Sequence, residues 1–244
     1  MKRILFFIGL LLTFSNLSAQ KIVTETTSSK KIDDVLVHVK FAQNIVVKNW
    51  DKNEISVQAT VDIDNNKHND YFSFKTKSID GYYTVTSDYG EYFKKYRNYY
   101  RKNIDDDKKK ESDEDCDCNC NGQHTVDYVI HVPKGMKLKV KSISGSLEAD
   151  SYVGILQTDL ISGNIIIKKH SKDMYLKTIS GDIDIYVADA KLEAKTLTGG
   201  VYSDLDIDFG KRKGYGSKIV TTVKNGSAFL KLNTISGDIF LRKI

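Results

Sequence analysis

Apolar and polar residues alternate along most of this chain, which is the pattern of half-buried β-strands. Valine, isoleucine, threonine and tyrosine carry the alternation in residues 35–61 and 71–87, and it continues from Thr125 to Ile244. Helix signatures are weak, and Pro133 is the one proline of the chain. The sequence therefore predicts an all-β fold.

A short motif recurs through the C-terminal half, as "SISGS", "LISGN", "TISGD", "TLTGG" and again "TISGD". Its first four glycines are 18 residues apart, and the last follows 38 residues after the fourth, which corresponds to about two further turns with a small insertion. The five are Gly145, Gly163, Gly181, Gly199 and Gly237. Glycine suits a sharp corner or a close approach of two backbones, so a structural role is predicted for all five.

Aliphatic residues recur with the same period in three columns. The first contains Leu147, Ile165, Ile183, Val201 and Ile239; the second Ile143, Ile161, Ile179, Leu197 and Ile235; the third Leu156, Met174, Leu192 and Leu230. Stacked units would place like residues about 4.8 Å apart in continuous interior files. A single unit cannot bury its apolar side, so several must stack. We predict a β-solenoid of about 18-residue, two-strand coils.

The polar residues of the motif could serve either the structure or a chemical function. The Ser or Thr before each glycine can hydrogen-bond backbone at the bend. A nucleophilic serine would need a base and a setting that the sequence does not show. Asn164, Asp182 and Asp238 follow the glycine and are predicted to be outward polar positions, with calcium ligation as the alternative.

Four regions are distinguished along the chain. Residues 1–19 have a basic start, a short apolar run and small residues at the end, the layout of a secretory signal peptide. Residues 20–88 are predicted to be N-terminal strands of the solenoid, 89–123 an irregular insertion, and 124–244 the C-terminal repeats. The protein is therefore expected to be exported, to the periplasm or the cell surface.

The insertion concentrates tyrosine with basic residues in "YGEYFKKYRNYYRK". Tyrosine and arginine favour recognition surfaces. The candidate ligand-binding residues are Tyr92, Tyr96, Arg97, Tyr99, Tyr100 and Arg101. The alternative is a short helix or hairpin lying on the solenoid.

All three cysteines of the chain lie in "CDCNCNGQH". Cys116, Cys118 and Cys120, with His124, are a candidate site for a soft metal ion such as Zn²⁺ or Cu⁺. The spacing differs from the usual C-x₂-C zinc pattern. An exported location favours oxidation, and a Cys116–Cys120 disulfide would leave Cys118 free. No cofactor is predicted.

The repeats resemble a bacterial exported "putative adhesin" domain family of unknown function with SGD-type β-strand repeats. The resemblance covers "NIVVKNWDKNEISVQATV", "YVIHVPKGMKLKVKSISGSLEA" and the closing "KNGSAFLKLNTISGDIFLRKI". It implies a β-solenoid in the cell envelope and no known reaction.

We therefore predict a non-catalytic scaffold that presents binding surfaces to an envelope protein, a glycan or another copy of itself. A purely structural envelope protein and a polysaccharide-degrading β-helix enzyme are the alternatives, the latter with Asp182, Asp184, Asp204 and Lys177 sharing a face. Without residues 1–19 the formal charge falls from +5 to +3, which does not indicate nucleic acid. No apolar run of membrane-spanning length is present.

Overall fold

Two nine-stranded β-sheets pack face to face, and their inward side chains form one hydrophobic core. The structure is a computed structural model that describes residues 20–95, 97, 123–207 and 216–244. Along the C-terminal repeats the chain alternates between the two sheets, so that one strand in each sheet makes one coil. The predicted all-β solenoid is confirmed.

The strands of the N-terminal part are β1 Lys21–Ser28, β2 Asp34–Val39, β3 Asn44–Trp50, β4 Glu54–Ile63, β5 Ser73–Ile79 and β6 Tyr82–Asp88, with a 3₁₀ turn at Asn69–Tyr71. Those of the C-terminal part are β7 His124–Pro133, β8 Lys137–Ser142, β9 Ser146–Ala149, β10 Leu156–Ser162, β11 Ile165–Ile167, β12 Met174–Ser180, β13 Ile183–Val187, β14 Ala190–Thr196, β15 Val201–Ser203, β16 Ser217–Val223, β17 Ala228–Asn233 and β18 Ile239–Lys243.

The first sheet, sheet A, has the order β1-β4-β7-β3-β9-β11-β13-β18-β15. The second, sheet B, has the order β16-β14-β17-β12-β10-β8-β2-β6-β5. Pairing is parallel from β7 to β15 in sheet A and from β6 to β14 in sheet B. Antiparallel strands flank both parallel stretches, except beyond β15. The parallel stacking therefore lies between antiparallel strands in sheet B and extends to the edge strand β15 in sheet A.

The last coil of the chain is not last in space, which corrects the expected succession of Ile183 and Val201. Strand β18 lies between β13 and β15, so Ile239 is paired with Ile183 on one side and with Val201 on the other. Strand β17 lies between β12 and β14 in the same way. After β13 the chain passes over one coil position, and its C-terminal residues fill the gap. Each inserted strand thereby gains hydrogen-bonding partners along both edges.

The second aliphatic column is on the surface, contrary to the expectation of interior files. Its five members, Ile143, Ile161, Ile179, Leu197 and Ile235, are 37–50% exposed. The strand leaves sheet B at this point and the next residues form the corner, so the inward side chain is the one before each of these. Those inward residues are Ser142, Leu160, Thr178, Thr196 and Thr234, all buried. We call the exposed column the aliphatic ridge.

The coil order can be tested by truncating side chains in the first column. We expect Ile239→Ala to lower the free energy of unfolding by about 2–5 kcal/mol, since Ile239 is fully buried between two coils. Val201→Ala should cost about 1 kcal/mol or less, because Val201 is only partly buried on the outermost strand of sheet A. Equilibrium denaturation in urea measures both. Equal effects of the two substitutions would contradict the inserted coil.

Candidate binding surfaces

The repeat glycines stand where the backbones of neighbouring coils approach most closely. A Cβ at Gly163 would overlap the carbonyl oxygen of Gly145, and one at Gly181 would overlap that of Gly163. A Cβ at Gly237 would likewise overlap the carbonyl oxygen of Gly181, and one at Gly199 would overlap that of Gly237. No side chain fits in this column, so the glycines serve the stacking of the coils.

Threonines three residues before the glycine form a buried column of hydroxyl groups. Thr178 Oγ1 donates to the carbonyl oxygen of Gly163 at 3.0 Å, and Thr234 Oγ1 donates to that of Gly181 at 2.9 Å. Thr196 Oγ1 donates to the carbonyl oxygen of Gly237 at 2.8 Å. These hydroxyls connect each coil to the next, a role that the sequence did not assign to them.

The residues after the glycine form a second connecting column. The backbone N–H of Asp182 donates to Asn164 Oδ1 at 2.9 Å, and that of Asp238 donates to Asp182 Oδ1 at 2.7 Å. The N–H of Gly200 then donates to Asp238 Oδ1 at 2.7 Å. Each acidic or amide side chain thus holds the backbone of the next coil, in the spatial order of the coils.

Of the residues considered for a polysaccharide-degrading site, Lys177 lies apart from the carboxylates. Lys177 lies on the outer face of sheet B and pairs with Asp159 at 3.3 Å. Asp184 lies on the outer face of sheet A, where Arg242 binds it in a two-pronged contact. The expectation of a shared face is wrong, because the corner at the repeat glycine separates the two sheets. Among the described residues, no three His, Cys, Asp or Glu side chains are grouped so as to hold a metal ion.

The start of the insertion is part of the core. Tyr92 begins a helical turn and is 1% exposed, and its hydroxyl donates to Asp64 Oδ2 at 2.9 Å. The other oxygen of Asp64 accepts the backbone N–H of Gln123 at 3.2 Å. One buried carboxylate therefore ties together both ends of the insertion. Tyr92 cannot present its ring to a ligand, because the core occupies the space around it.

The other residues proposed for ligand or metal binding lie in the insertion or, for His124, directly after it. Arg97 is exposed. His124, at the start of β7, packs against the rings of Phe41 and Phe93, with centroids 5.0 Å and 5.6 Å away. Tyr96, Tyr99, Tyr100, Arg101, Cys116, Cys118 and Cys120 lie outside the described residues, so the ligand-binding and metal-binding hypotheses there stay predictions.

Among the described residues, positive charge is concentrated on the outer side of sheet B. We define the basic face as the outward side of strands β8, β10, β12, β17, β14 and β16. Its outward positions contain eight lysines and two acidic residues, Asp159 and Glu193, a formal surplus of six positive charges. The lysines are Lys137, Lys139, Lys141, Lys177, Lys191, Lys195, Lys218 and Lys231.

Most of this charge has no counter-ion among the residues that the structure describes. Three of the lysines pair with carboxylates, Lys137 with Asp34, Lys177 with Asp159 and Lys218 with Glu193. The remaining five, Lys139, Lys141, Lys191, Lys195 and Lys231, form no ion pair with any described residue. Both acidic residues of the face are already used in pairs. The face is therefore an electropositive surface open to an anionic partner.

Two cations of the opposite outer face are paired with carboxylates. On sheet A, Lys168 contacts Glu148 and Asp150 at 2.9 Å and 2.6 Å. Arg242 contacts Asp184 at 3.0 Å and Asp204 at 3.9 Å. Four carboxylates therefore stand beside these two cations, whereas the basic face has two acidic residues for eight lysines.

A shallow depression with mixed polar and aromatic lining lies in the middle of the basic face. The polar and aromatic residues that line it are Lys139, Gln157, Thr158, Asp159, Tyr175, Lys177, Lys231 and Asn233. The ring of Tyr175 is 37% exposed and meets the edge of Phe229, with a centroid distance of 6.0 Å. Sequence reasoning missed this surface, although "KLKVKS" and "KLEAKT" place lysines at alternate, outward positions.

His38 lies in β2, the strand of sheet B beside β8, where its pKa responds to the positive charge of the basic face. Burial lowers the pKa of its imidazole, and the positive charges of Lys141 and Lys40 lower it further because they disfavour the imidazolium. We expect the His38 pKa to lie below 6.5, and Lys141→Gln to raise it part of the way back. NMR titration of the ring protons measures this shift. A His38 pKa unmoved by Lys141→Gln and by added salt would show that the field is absent.

Within the described ranges, no helix is both long enough and apolar enough to cross a bilayer.

Comparisons with known proteins agree with the fold. The structure of a protein from Clostridium sporogenes, named "putative cell adhesion protein", is 10% identical with a TM-score of 0.53 and aligns over 92% of this chain and 100% of its own. A "putative adhesin" from Bacteroides fragilis is also 10% identical over 93% and 99% of the two chains, but its TM-score of 0.30 supports no argument. No curated protein matches the chain.

At 10% identity the likeness to the Clostridium sporogenes structure shows the fold alone. The model of the family Toastrack DUF4097 matches residues 129–242, from β7 to β18. This match confirms the resemblance to an adhesin-like domain family of unknown function. Residues 129–242 of this chain are thus similar to the Toastrack DUF4097 family.

Proposed function

We propose that this protein is a non-catalytic, exported β-solenoid that presents binding surfaces in the cell envelope, as an adhesin-like scaffold. The observation that supports this most is the basic face, where five lysines without ion pairs among the described residues project from one regular sheet. A surface held by backbone hydrogen bonds on both sides of each strand loses little conformational freedom when a partner binds.

The chemistry of the repeat motif supports a scaffold. Its hydroxyl and carboxylate groups at Thr178, Thr234, Asp182 and Asp238 are engaged in bonds between coils. These groups therefore act in the architecture of the protein. The similar structure from Clostridium sporogenes bears a cell-adhesion name, which is in line with a binding role.

The location and the other contacts are part of the same proposal. Residues 1–19 would direct export to the periplasm or the cell surface, where the partner is an envelope protein or glycan. The Tyr/Arg segment from Tyr96 to Arg101 would extend the binding surface. The aliphatic ridge would support self-association, because five exposed aliphatic side chains stand in adjacent coils.

Retention on native envelope fragments tests the proposal. We expect the combined variant Lys139→Glu, Lys195→Glu, Lys231→Glu to lose retention about tenfold or more, since it replaces attraction by repulsion. Its matched control carries Lys30→Glu, Lys31→Glu and Lys172→Glu, three exposed positions away from the basic face. Wild-type retention of the first variant, or equal losses in both, would overturn the proposal that this face binds.

The contribution of the insertion is measured in the same assay. The deletion should remove residues 98–122 only and replace them with a Gly/Ser linker, since Tyr89, Tyr92 and Gln123 belong to the folded body. We expect this variant to keep its thermal unfolding temperature and to bind envelope fragments less tightly than the full chain. Unchanged retention would assign binding to the basic face alone.

A further inference from the structure

We propose that the basic face binds a linear acidic polysaccharide, with carboxylates paired to Lys139, Lys195 and Lys231 and a sugar ring stacked on Tyr175. This inference rests on the proposed function, because it names the partner of the same face. Three features of the surface support it: the arrangement of the charges, the groups between them and the type of cation.

The charges are arranged along the direction in which the coils stack. Lys139, Tyr175 and Lys231 stand in one row across β8, β12 and β17, in register with Gln157 of β10. Glu193 of β14 follows Lys231 in this row. Lys141, Lys177 and Lys195 stand in the neighbouring row, with Asp159 between the first two and Asn233 between the last two. Asp159 and Glu193 are paired with Lys177 and Lys218. Adjacent strands are about 4.8 Å apart, so the rows offer cations at intervals of about 10–15 Å. An extended ligand that crosses the strands meets these cations in succession.

The groups between the lysines suit sugar rings. Tyr175 lines the depression and is 37% exposed, and its ring makes a T-shaped contact with that of Phe229. Gln157 and Asn233 add amide groups on either side, which can donate to and accept from hydroxyls. A sugar presents an apolar C–H face and polar hydroxyls together, so both kinds of group find a partner here.

The cations of the face are all lysines among its described outward positions. Lysine binds both carboxylate and phosphate as a point charge, without the planar, bidentate fork that arginine offers to either anion. A flat surface with separated point charges therefore favours carboxylates spread along a sugar polymer over the dense phosphates of a nucleic acid.

Binding of polygalacturonate oligomers, followed by calorimetry, tests the charge pairing in the full mature chain. We expect Lys139→Gln, Lys195→Gln and Lys231→Gln together to weaken binding about tenfold or more. Lys30→Gln, Lys31→Gln and Lys172→Gln together should change it less than about twofold. Binding should also weaken as salt is raised. A wild-type protein that does not bind the oligomers, or equal losses in both triple variants, would overturn the inference.

The stacking is tested by a pair of tyrosines with the same exposure on opposite faces. Tyr175 and Tyr186 are each 37% exposed, and Tyr186 lies on the outer side of sheet A. We expect Tyr175→Thr to weaken polygalacturonate binding about threefold or more and Tyr186→Thr to leave it unchanged. Thermal unfolding of both variants checks that the strands are intact. Equal affinities of the two variants would remove Tyr175 from the site.

Two further ligands separate this inference from the proposed function. Neutral dextran should bind far more weakly than polygalacturonate, and double-stranded DNA should bind without dependence on Tyr175. If the charge-reversed variant loses retention on envelope fragments while wild type ignores polygalacturonate, the face binds a different partner and only the polysaccharide assignment fails. If DNA binds as tightly as polygalacturonate and with the same dependence on Tyr175, the assignment also fails.

Discussion

The approach of backbone to backbone along the glycine column is the constraint on which the rest of the structure depends. Where Gly181 lies against Gly163, no Cβ fits between the coils, so the two coils can pair in only one register. That register places Thr178 against the carbonyl oxygen of Gly163 and Asp182 against Asn164. It also aligns the aliphatic residues of the interior and, on the outside, the lysines of the basic face.

The inserted coil shows how the chain satisfies its strand edges. Parallel strands at the end of a stack leave one row of backbone groups unpaired, which is unfavourable and invites association. By placing β17 and β18 inside the stack, the chain gives both strands partners on each side. Strand β16 then pairs antiparallel with β14 and ends the regular growth of sheet B. The core is thus completed by contacts between residues distant in sequence.

The proposed binding role rests on where the charges lie, and the net charge of the chain does not reveal this distribution. The chain has a formal charge of +5, which is modest for its length. The basic face alone has a surplus of six, so the rest of the protein is close to neutral. On sheet A, Lys168 and Arg242 each contact two carboxylates, whereas the basic face of sheet B has two acidic residues for eight lysines. Local imbalance of this kind directs a partner to one surface.

The amino-acid sequence by itself determined the strands, the 18-residue coil and the special role of the repeat glycines. Alternation is a property of neighbouring residues, and every solenoid repeats its coil with a fixed period. Both features can therefore be recognised from the amino-acid sequence alone. The burial of Leu147, Ile165 and Ile183 follows from them.

Only the tertiary structure decided which coils are neighbours, which column faces water and which charges remain unpaired. Ile239 lies beside Ile183 because a distant segment fills a gap, and no local pattern encodes that choice. Ile179 is exposed because it occupies an outward position of β12, in line with Tyr175 and Lys177, and the inward positions change from even to odd residue numbers only at the corner that follows. The lysines form one face because coils far apart in sequence are stacked in register, and that stacking is a property of the whole fold.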